Sequence, residues 1–199
     1  MCVALLSGWL RTFLIAEYDM KNDMKNDKNN CTCCFIGHRR IDRTAELEKS
    51  VYNVIEDLIK NESVHTFLFG SKSRFDDLCY EMVTQLKGKY PYIKRIYVRA
   101  EYPQISTGYT NRLLQMYENT YYPQHILGAG KAAYIERNLE MINKSDFCVV
   151  YYDENYLPPR RKQSRHDLTD YQPKSGTKTA YDYAVKKKKK IINVFFISH

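Results

Sequence analysis

Short apolar runs alternate with stretches of helical apolar spacing along most of this chain, and that alternation limits the fold more than any other feature. Cys33 to Gly37 is a short apolar run, and within Glu46 to Lys60 the residues Leu47, Val51, Val54, Ile55, Leu58 and Ile59 recur at helical spacing. Val64 to Phe69 is a second run, followed by Phe75, Leu78, Cys79, Met82, Val83 and Leu86 on one face of a second helix. Ile93 to Val98 predicts a third strand, Ala132 to Ile142 a helix carried by Ile135, Leu139 and Ile142, and Phe147 to Tyr152 a fourth strand. Thr177 to Lys187 and Ile191 to Ile197 supply a last helix and strand. Strands that are apolar almost throughout have both faces buried, as in a parallel sheet with helices on each side. The expected fold is α/β, a three-layer sandwich around a mostly parallel sheet of five strands or so.

Right-handed crossovers place the carboxyl ends of parallel strands along one edge, and open sheets bind ligands there, near the point where strand order reverses. The segments leaving strands on that edge are Gly37-His38-Arg39, Gly70 to Asp76 and Tyr152 onward. Two insertions interrupt the alternation. Residues 100–130 contain Tyr102, Tyr109, Tyr117, Tyr121 and Tyr122, with a short helix expected around Asn111 to Glu118. Residues 153–174 carry Pro158, Pro159, Arg160, Arg161, Lys162, Arg165 and His166 and read as a basic loop. Long loops beside a ligand edge commonly act as lids or specificity elements.

Two polar turns stand at helix starts on this edge, Gly70-Ser71-Lys72-Ser73-Arg74-Phe75-Asp76 and Ser175-Gly176-Thr177-Lys178-Thr179. Glycine after a strand permits close backbone approach, serine adds a hydroxyl donor, and the helix adds its positive end, a combination suited to phosphate. Lys72 and Arg74 are cations at a helix N-terminus, electrostatically misplaced unless an anion joins them. Taken singly, each turn is also explained as an ordinary strand-to-helix turn or an N-cap by Ser175 or Thr177. The second is not a Walker loop, since the Gly-Lys-Ser/Thr ending and the preceding glycine at the required spacing are absent. Both on one edge predict a single pocket, with Gly37, His38 and Arg39 reaching over it from the end of the first strand. Arg137 lies on the helix before the fourth strand, where it either faces that pocket or pairs with Glu136 or Glu140 across a turn.

At 199 residues the chain accommodates one sizeable core, expected from Cys31 to the C-terminus. Residues 1–30 read as an N-terminal extension: Val3 to Ala16 is apolar but interrupted by Arg11 and shorter than the roughly 20 residues of a membrane span. The polar near-repeat at 20–30 lacks core-forming residues apart from its methionines, and 17–30 reads as a linker. Lys plus Arg number 31 against 23 Asp plus Glu, a net charge of +8 that favours anionic partners. Part of the excess is the run Lys186 to Lys190, which suits a solvated helix end. The cysteines at 2, 31, 33, 34, 79 and 148 read as small hydrophobes of a reducing cytosol, and Cys31 and Cys34 have no second close pair to complete a metal site.

Cys33-Cys34-Phe35-Ile36-Gly37-His38-Arg39, the turn Gly70 to Asp76 with Glu81, Tyr90-Pro91-Tyr92-Ile93, Arg137-Asn138 with Ser145-Asp146, and Ser175-Gly176-Thr177-Lys178-Thr179-Ala180 before Tyr183-Ala184 resemble, in this order, the SLOG superfamily, and most closely its YpsA-like branch. The resemblance covers almost everything from Cys31 onward. It implies a Rossmann-like fold and binding of a nucleotide or nucleotide-derived signal, with other branches hydrolysing N-glycosidic bonds of nucleoside monophosphates or binding single-stranded DNA. The hydrolase branch carries a catalytic glutamate shortly after the threonine of a Pro-Gly-Gly-x-Gly-Thr loop. Here Thr177 is followed by Lys178, Thr179 and Ala180, so that carboxylate is missing. Arg74 stands where the YpsA-like pattern tends to have a second glycine.

The expected function is therefore binding or sensing of a nucleotide or nucleotide derivative, with no resident cofactor or metal assigned. The expected ligand residues are Gly37, His38, Arg39, Gly70, Ser71, Arg74, Asp76, Arg137, Ser175, Gly176, Thr177 and Thr179, with the tyrosine-rich insertion lining the rest. The first alternative is an N-glycoside hydrolase or transferase using Asp76, Glu81 or Asp153 as its carboxylate. Nucleic-acid binding through Lys186 to Lys190 and Arg160 to Arg165 ranks behind both, because these segments lack interleaved aromatics for base stacking. A small phosphorylated ligand is the expected partner, a cytoplasmic location the expected setting, and a homo-oligomer is left open.

Overall fold

The computed structural model describes residues 30–70, 73–156 and 175–196. The extension before Asn30, the residues Ser71 and Lys72, and the basic loop from Leu157 to Lys174 lie outside the described residues. The chain divides into two units between Asn30 and Cys31. The second unit runs β1 (Cys31–Gly37), α1 (Ala45–Asn61), β2 (Val64–Phe69), α2 (Arg74–Lys89), β3 (Lys94–Val98), α3 (Thr107–Met116), β4 (Asn119–Tyr121), two single 3-10 turns (Gln124–Ile126 and Gly130–Ala132), α4 (Ala133–Asn143), β5 (Phe147–Tyr151), α5 (Gly176–Lys186) and β6 (Lys190–Asn193).

All five strand pairings are parallel, and the sheet order is β4-β3-β2-β1-β5-β6. The chain builds outward from β1 to β4, crosses back to place β5 beside β1, and ends on β6. Strand order therefore reverses between β1 and β5, and the segments leaving these two strands flank the crevice where such sheets take ligands.

The period-2 alternation of each strand divides the interior into two layers. Cys33, Phe35, Phe67, Phe69 and Val149 face a core completed by α1, α2 and α3 through Leu47, Val51, Ile55, Phe75, Leu78, Met82 and Leu113. Cys34, Ile36, Leu68, Ile96, Cys148 and Val150 face a second core, closed by Met141 and Ile142 of α4 and Ala180 and Ala184 of α5. The result is the three-layer α/β sandwich of Rossmann type. Cys33 and Cys34 point into different layers, as their places on a strand require, and Cys34 Sγ lies 3.5 Å from Cys148 Sγ on the neighbouring strand. Among the described residues no helix is long and apolar enough to cross a membrane.

The sixth strand, β4, lies inside the tyrosine-rich insertion, where three residues, Asn-Thr-Tyr, give no period to read. One acid holds it. Glu118, just before β4, accepts the Arg95 backbone N–H at 2.6 Å, Arg95 Nε at 3.2 Å and Nη2 at 2.8 Å, fastening the strand to β3. Burial raises the Glu118 pKa, but the bonds from Arg95 outweigh it and hold the carboxyl below its ordinary value. Glu118 thus stabilises the fold fully above the ordinary carboxylate range and loses that contribution as pH falls through its lowered value. Replacing Glu118 by Ala leaves Arg95, 9% exposed, without its counter-charge. Urea unfolding is expected to show a loss of about 2 kcal/mol, discounted for the partial exposure of the pair. Arg95→Met in the Glu118→Ala background is expected to recover part of the loss.

Candidate functional site

The turn after β2 becomes a helix start through Ser73, whose Oγ accepts the Asp76 N–H at 3.1 Å. Ser175 does the same for α5, accepting the Lys178 N–H at 3.0 Å. Both polar turns are therefore N-caps, and both are also tied to the end of β1. The Arg74 N–H donates to the Arg39 carbonyl at 3.2 Å, and Thr177 Oγ1 donates to the Gly37 carbonyl at 3.0 Å. α2 comes from one face of the sheet and α5 from the other, so their positive ends converge on Gly37 to Arg39.

The three glycines differ in what surrounds them. A Cβ at Gly37 would meet the Phe75 side chain at 2.3 Å, and one at Gly70 would meet Arg137 Nη1 at 2.7 Å and the Val98 carbonyl at 2.8 Å. These two are required by internal packing. A Cβ at Gly176 would meet nothing within 4 Å. Open backbone approach is thus found at α5, whose Gly176 and Thr177 N–H groups are among the orphan donors of a helix start.

Hydroxyl protons are partly committed. Thr177 donates to Gly37, and Thr179 Oγ1 donates back to the Ser175 carbonyl at 3.3 Å, so neither proton is free for an anion. Ser73 and Ser175 accept at their caps and keep their own protons to donate. Arg39, Arg40 and Arg74 are exposed, and no ion pair among the described residues engages them.

Arg137 is neither exposed nor paired with Glu136 or Glu140; Glu140 instead pairs with Lys144. The guanidinium is 3% exposed, and its Nη1 donates to the Gly70 carbonyl and to the Val98 carbonyl at 3.3 Å, clamping the carboxyl ends of β2 and β3. Burial pushes its pKa below the ordinary arginine value, with Asp76 the largest opposing charge. Among the described residues no carboxylate lies within ion-pair distance of it. Its Nε donates to Asn138 Oδ1 at 3.0 Å, so among the described residues the buried cation has only neutral hydrogen-bond partners and leaves positive potential behind the first polar turn, offset in part by the Asp76 charge.

His38 is 2% exposed, stacked on Tyr156 with ring centroids 4.0 Å apart and tilted against Tyr152 at 5.9 Å. Its Nε2 accepts the Asp153 N–H at 3.0 Å, which places the proton of the neutral ring on Nδ1. That Nδ1 is buried with no hydrogen-bond partner among the described residues. Burial lowers the His38 pKa, and the Asp153 charge opposes the shift. Tyr152 stacks on Tyr181 at 4.5 Å and accepts from Lys178 Nζ at 3.3 Å. Tyr156, Tyr181 and Lys178 were not singled out from the sequence; the tyrosines at the exit of β5 and on the inner side of α5 were the available signal.

The candidate carboxylates are dispersed. Glu81 is bound bidentately by Arg43, at 3.0 Å and 2.5 Å, on the outside of α2, and the Arg43 hydrogen bond holds it below its ordinary pKa. An exposed, firmly ionised carboxylate is a poor general acid. Asp153 closes its own turn, its Oδ1 accepting the Asn155 N–H at 2.8 Å. Asp76 is 4% exposed in the first turn of α2. Much of the tyrosine-rich insertion lies away from this site. Tyr117 is packed under Phe69 and Tyr80, and Tyr122 covers Ala100 and Ile126. Among the described residues no group of three or more His, Cys, Asp or Glu side chains is placed to hold a metal ion. Ser71 lies outside the described residues.

Two measurements test this geometry. Gly70→Ala is expected to cost about 2 kcal/mol in urea unfolding, because Arg137 and the Val98 backbone cannot both give way, whereas Gly176→Ala is expected to stay within about 0.5 kcal/mol of the parent. The His38 imidazole is expected to titrate below about 6.5 by NMR. Because the lowered pKa favours the neutral ring in the fold, its contribution is present above about 6.5 and fades as pH falls toward the native value. His38→Asn is expected to flatten the decline of Tm across that window. A titration at or above 6.5 contradicts the burial. In comparisons with known proteins, the chain matches no family model and no curated protein.

Proposed function

We propose that the crevice between the ends of β1 and β5 binds a nucleotide or nucleotide-derived signal, and that the chain acts as a binding or sensing protein of the SLOG type. The observation that carries this reading is the hydrogen bonding of α2 and α5, from opposite faces of the sheet, to the Arg39 and Gly37 carbonyls at the end of β1. Two helix N-termini, the cations Arg39 and Arg74, in no ion pair among the described residues, and the buried charge of Arg137 favour an anion in the crevice, against the Asp76 and Asp77 carboxylates in the first turn of α2. The partly exposed Tyr156 and Tyr181 rings, packed on buried His38 and Tyr152, are the aromatic surface beside it that a base could use.

Recognition is favoured over glycoside hydrolysis by the state of the carboxylates. Glu81 is neutralised by Arg43 on the outside of α2, Asp153 is engaged in its own turn, and α5 carries no carboxylate in its first turn. The lysine run Lys186 to Lys190 ends α5 and begins β6, at the opposite edge of the sheet, and adds nothing to the crevice.

Isothermal titration against nucleotides, ADP-ribose derivatives and cyclic nucleotides is expected to find binding by at least one phosphate compound and none by its dephosphorylated counterpart. Arg74→Ala is expected to weaken that binding by about 10-fold, the worth of one charge-assisted contact, without lowering Tm. Glu81→Ala is expected to leave affinity unchanged, and no free base is expected from nucleoside monophosphates. Failure of every phosphate compound to bind overturns the reading, and base release abolished by Glu81→Ala replaces it with hydrolysis.

A further inference from the structure

His38 brings to the crevice a buried hydrogen-bond donor that the rest of the fold does not use. The ring is 2% exposed, and its two nitrogens are treated differently. Nε2 accepts the Asp153 N–H at 3.0 Å, so in the neutral ring the proton stands on Nδ1. Burial favours that neutral form by lowering the His38 pKa. Nδ1 is itself buried and has no hydrogen-bond partner among the described residues. A buried donor left unmet is expensive, and native folds hold few of them. Arg99 Nε and Tyr121 Oη are also buried without a partner among the described residues, but they belong to the exit of β3 and to β4, two and three strands from β1.

The contacts of the ring place this donor beside the start of α5. Gly37, the residue before His38, gives its carbonyl to Thr177 Oγ1 at 3.0 Å. The ring is tilted against Tyr152 at 5.9 Å, and Tyr152 stacks on Tyr181 and accepts from Lys178 Nζ at 3.3 Å, both residues of α5. Gly176, where a Cβ would meet nothing within 4 Å, leaves the first N–H groups of that helix open to approach. An open helix start and an unmet side-chain N–H beside it are independent features, and each calls for an acceptor. Among the charged groups nearby, Lys178 pairs with Asp182 at 3.5 Å, and Asp153 Oδ1 accepts the Asn155 N–H at 2.8 Å. Arg39, exposed and in no ion pair among the described residues, and the dipole of α5 then set the sign of the acceptor as negative.

We propose that His38 Nδ1–H is the side-chain donor that binds a phosphate oxygen of the ligand, together with the Gly176 and Thr177 N–H groups at the start of α5. This assignment rests on the phosphate-binding role proposed for the crevice. The Asp153 N–H, by holding Nε2, sets which nitrogen carries the proton. Tyr156, partly exposed and outside any strand or helix, covers one face of the ring at 4.0 Å and is the neighbour that gives way as the phosphate reaches the ring edge.

The test uses two substitutions that keep opposite halves of the imidazole, Asn setting an amide near the place of Nδ1 and Gln setting one near the place of Nε2. Inorganic phosphate is titrated into the full chain, and the Gly176 and Thr177 amides and the ring nitrogens of isotope-labelled histidine are followed by NMR. In the parent, His38 Nδ1 is expected to be the protonated nitrogen and to shift along the same saturating curve as the two amides. His38→Gln, which keeps an acceptor for the Asp153 N–H, is expected to hold Tm near the parent's and to weaken phosphate binding about 10-fold, the worth of one hydrogen bond to a charged group. His38→Asn, which keeps the donor and loses the acceptor, is expected to lower Tm and to bind phosphate close to the parent's affinity. The assignment is overturned, with the phosphate site at α5 left standing, if His38→Gln binds as tightly as the parent or if Nδ1 stays still while Gly176 and Thr177 shift. Loss of binding in both variants with a lowered Tm in both shows a packing role for the ring and overturns it as well. If phosphate shifts neither Gly176 nor Thr177 in the parent, the proposed function falls together with this assignment.

Discussion

β1 is hydrogen-bonded along both sides, to β2 and to β5, and its end at Gly37 is where the packing of the whole sheet comes together. On one face, the missing side chain of Gly37 admits the Phe75 ring, which places α2 close enough for the Arg74 N–H to reach Arg39. On the other face, the Gly37 carbonyl takes the Thr177 hydroxyl and so sets the start of α5. Neither helix could shift without breaking one of these bonds or disturbing the packing around Gly37. The crevice is therefore a product of core packing, and its backbone donors are oriented by the fold itself.

Charge follows from the same arrangement. Helices entering a parallel sheet after the strands present their N-termini to its carboxyl edge, and their C-termini, rich here in lysine, to its amino edge. The two edges are both basic for different reasons. One gathers backbone dipoles, buried Arg137 and the loop arginines; the other gathers lysines at helix ends, some fastened to carbonyls and some free.

The sheet was legible because its strands are apolar on both faces and its helices keep a 3.6 period, as in Val64 to Phe69 and Leu47 to Ile59. β4 was not, since three residues in an insertion carry no period and owe their pairing to Glu118 and Arg95, 23 positions apart. The polar turns were visible as glycine- and serine-rich helix starts, but the use of each residue was not. Gly70 reads as a glycine for ligand approach, and its space is taken by Arg137, 67 residues away; Thr177 and Thr179 read as donors, and their protons are spent on carbonyls. Such partners are set by tertiary contact, which local sequence does not encode.

The central claim is that the β1 end is a built anion site. The direct measurement is the amide NMR spectrum during titration with inorganic phosphate. The account predicts that Gly176 and Thr177, together with the side chain of Arg74, shift along one saturating curve while the amides of Lys186 to Lys190 stay still. Shifts confined to the lysine run, or no saturable shift at Gly176 and Thr177, would contradict it.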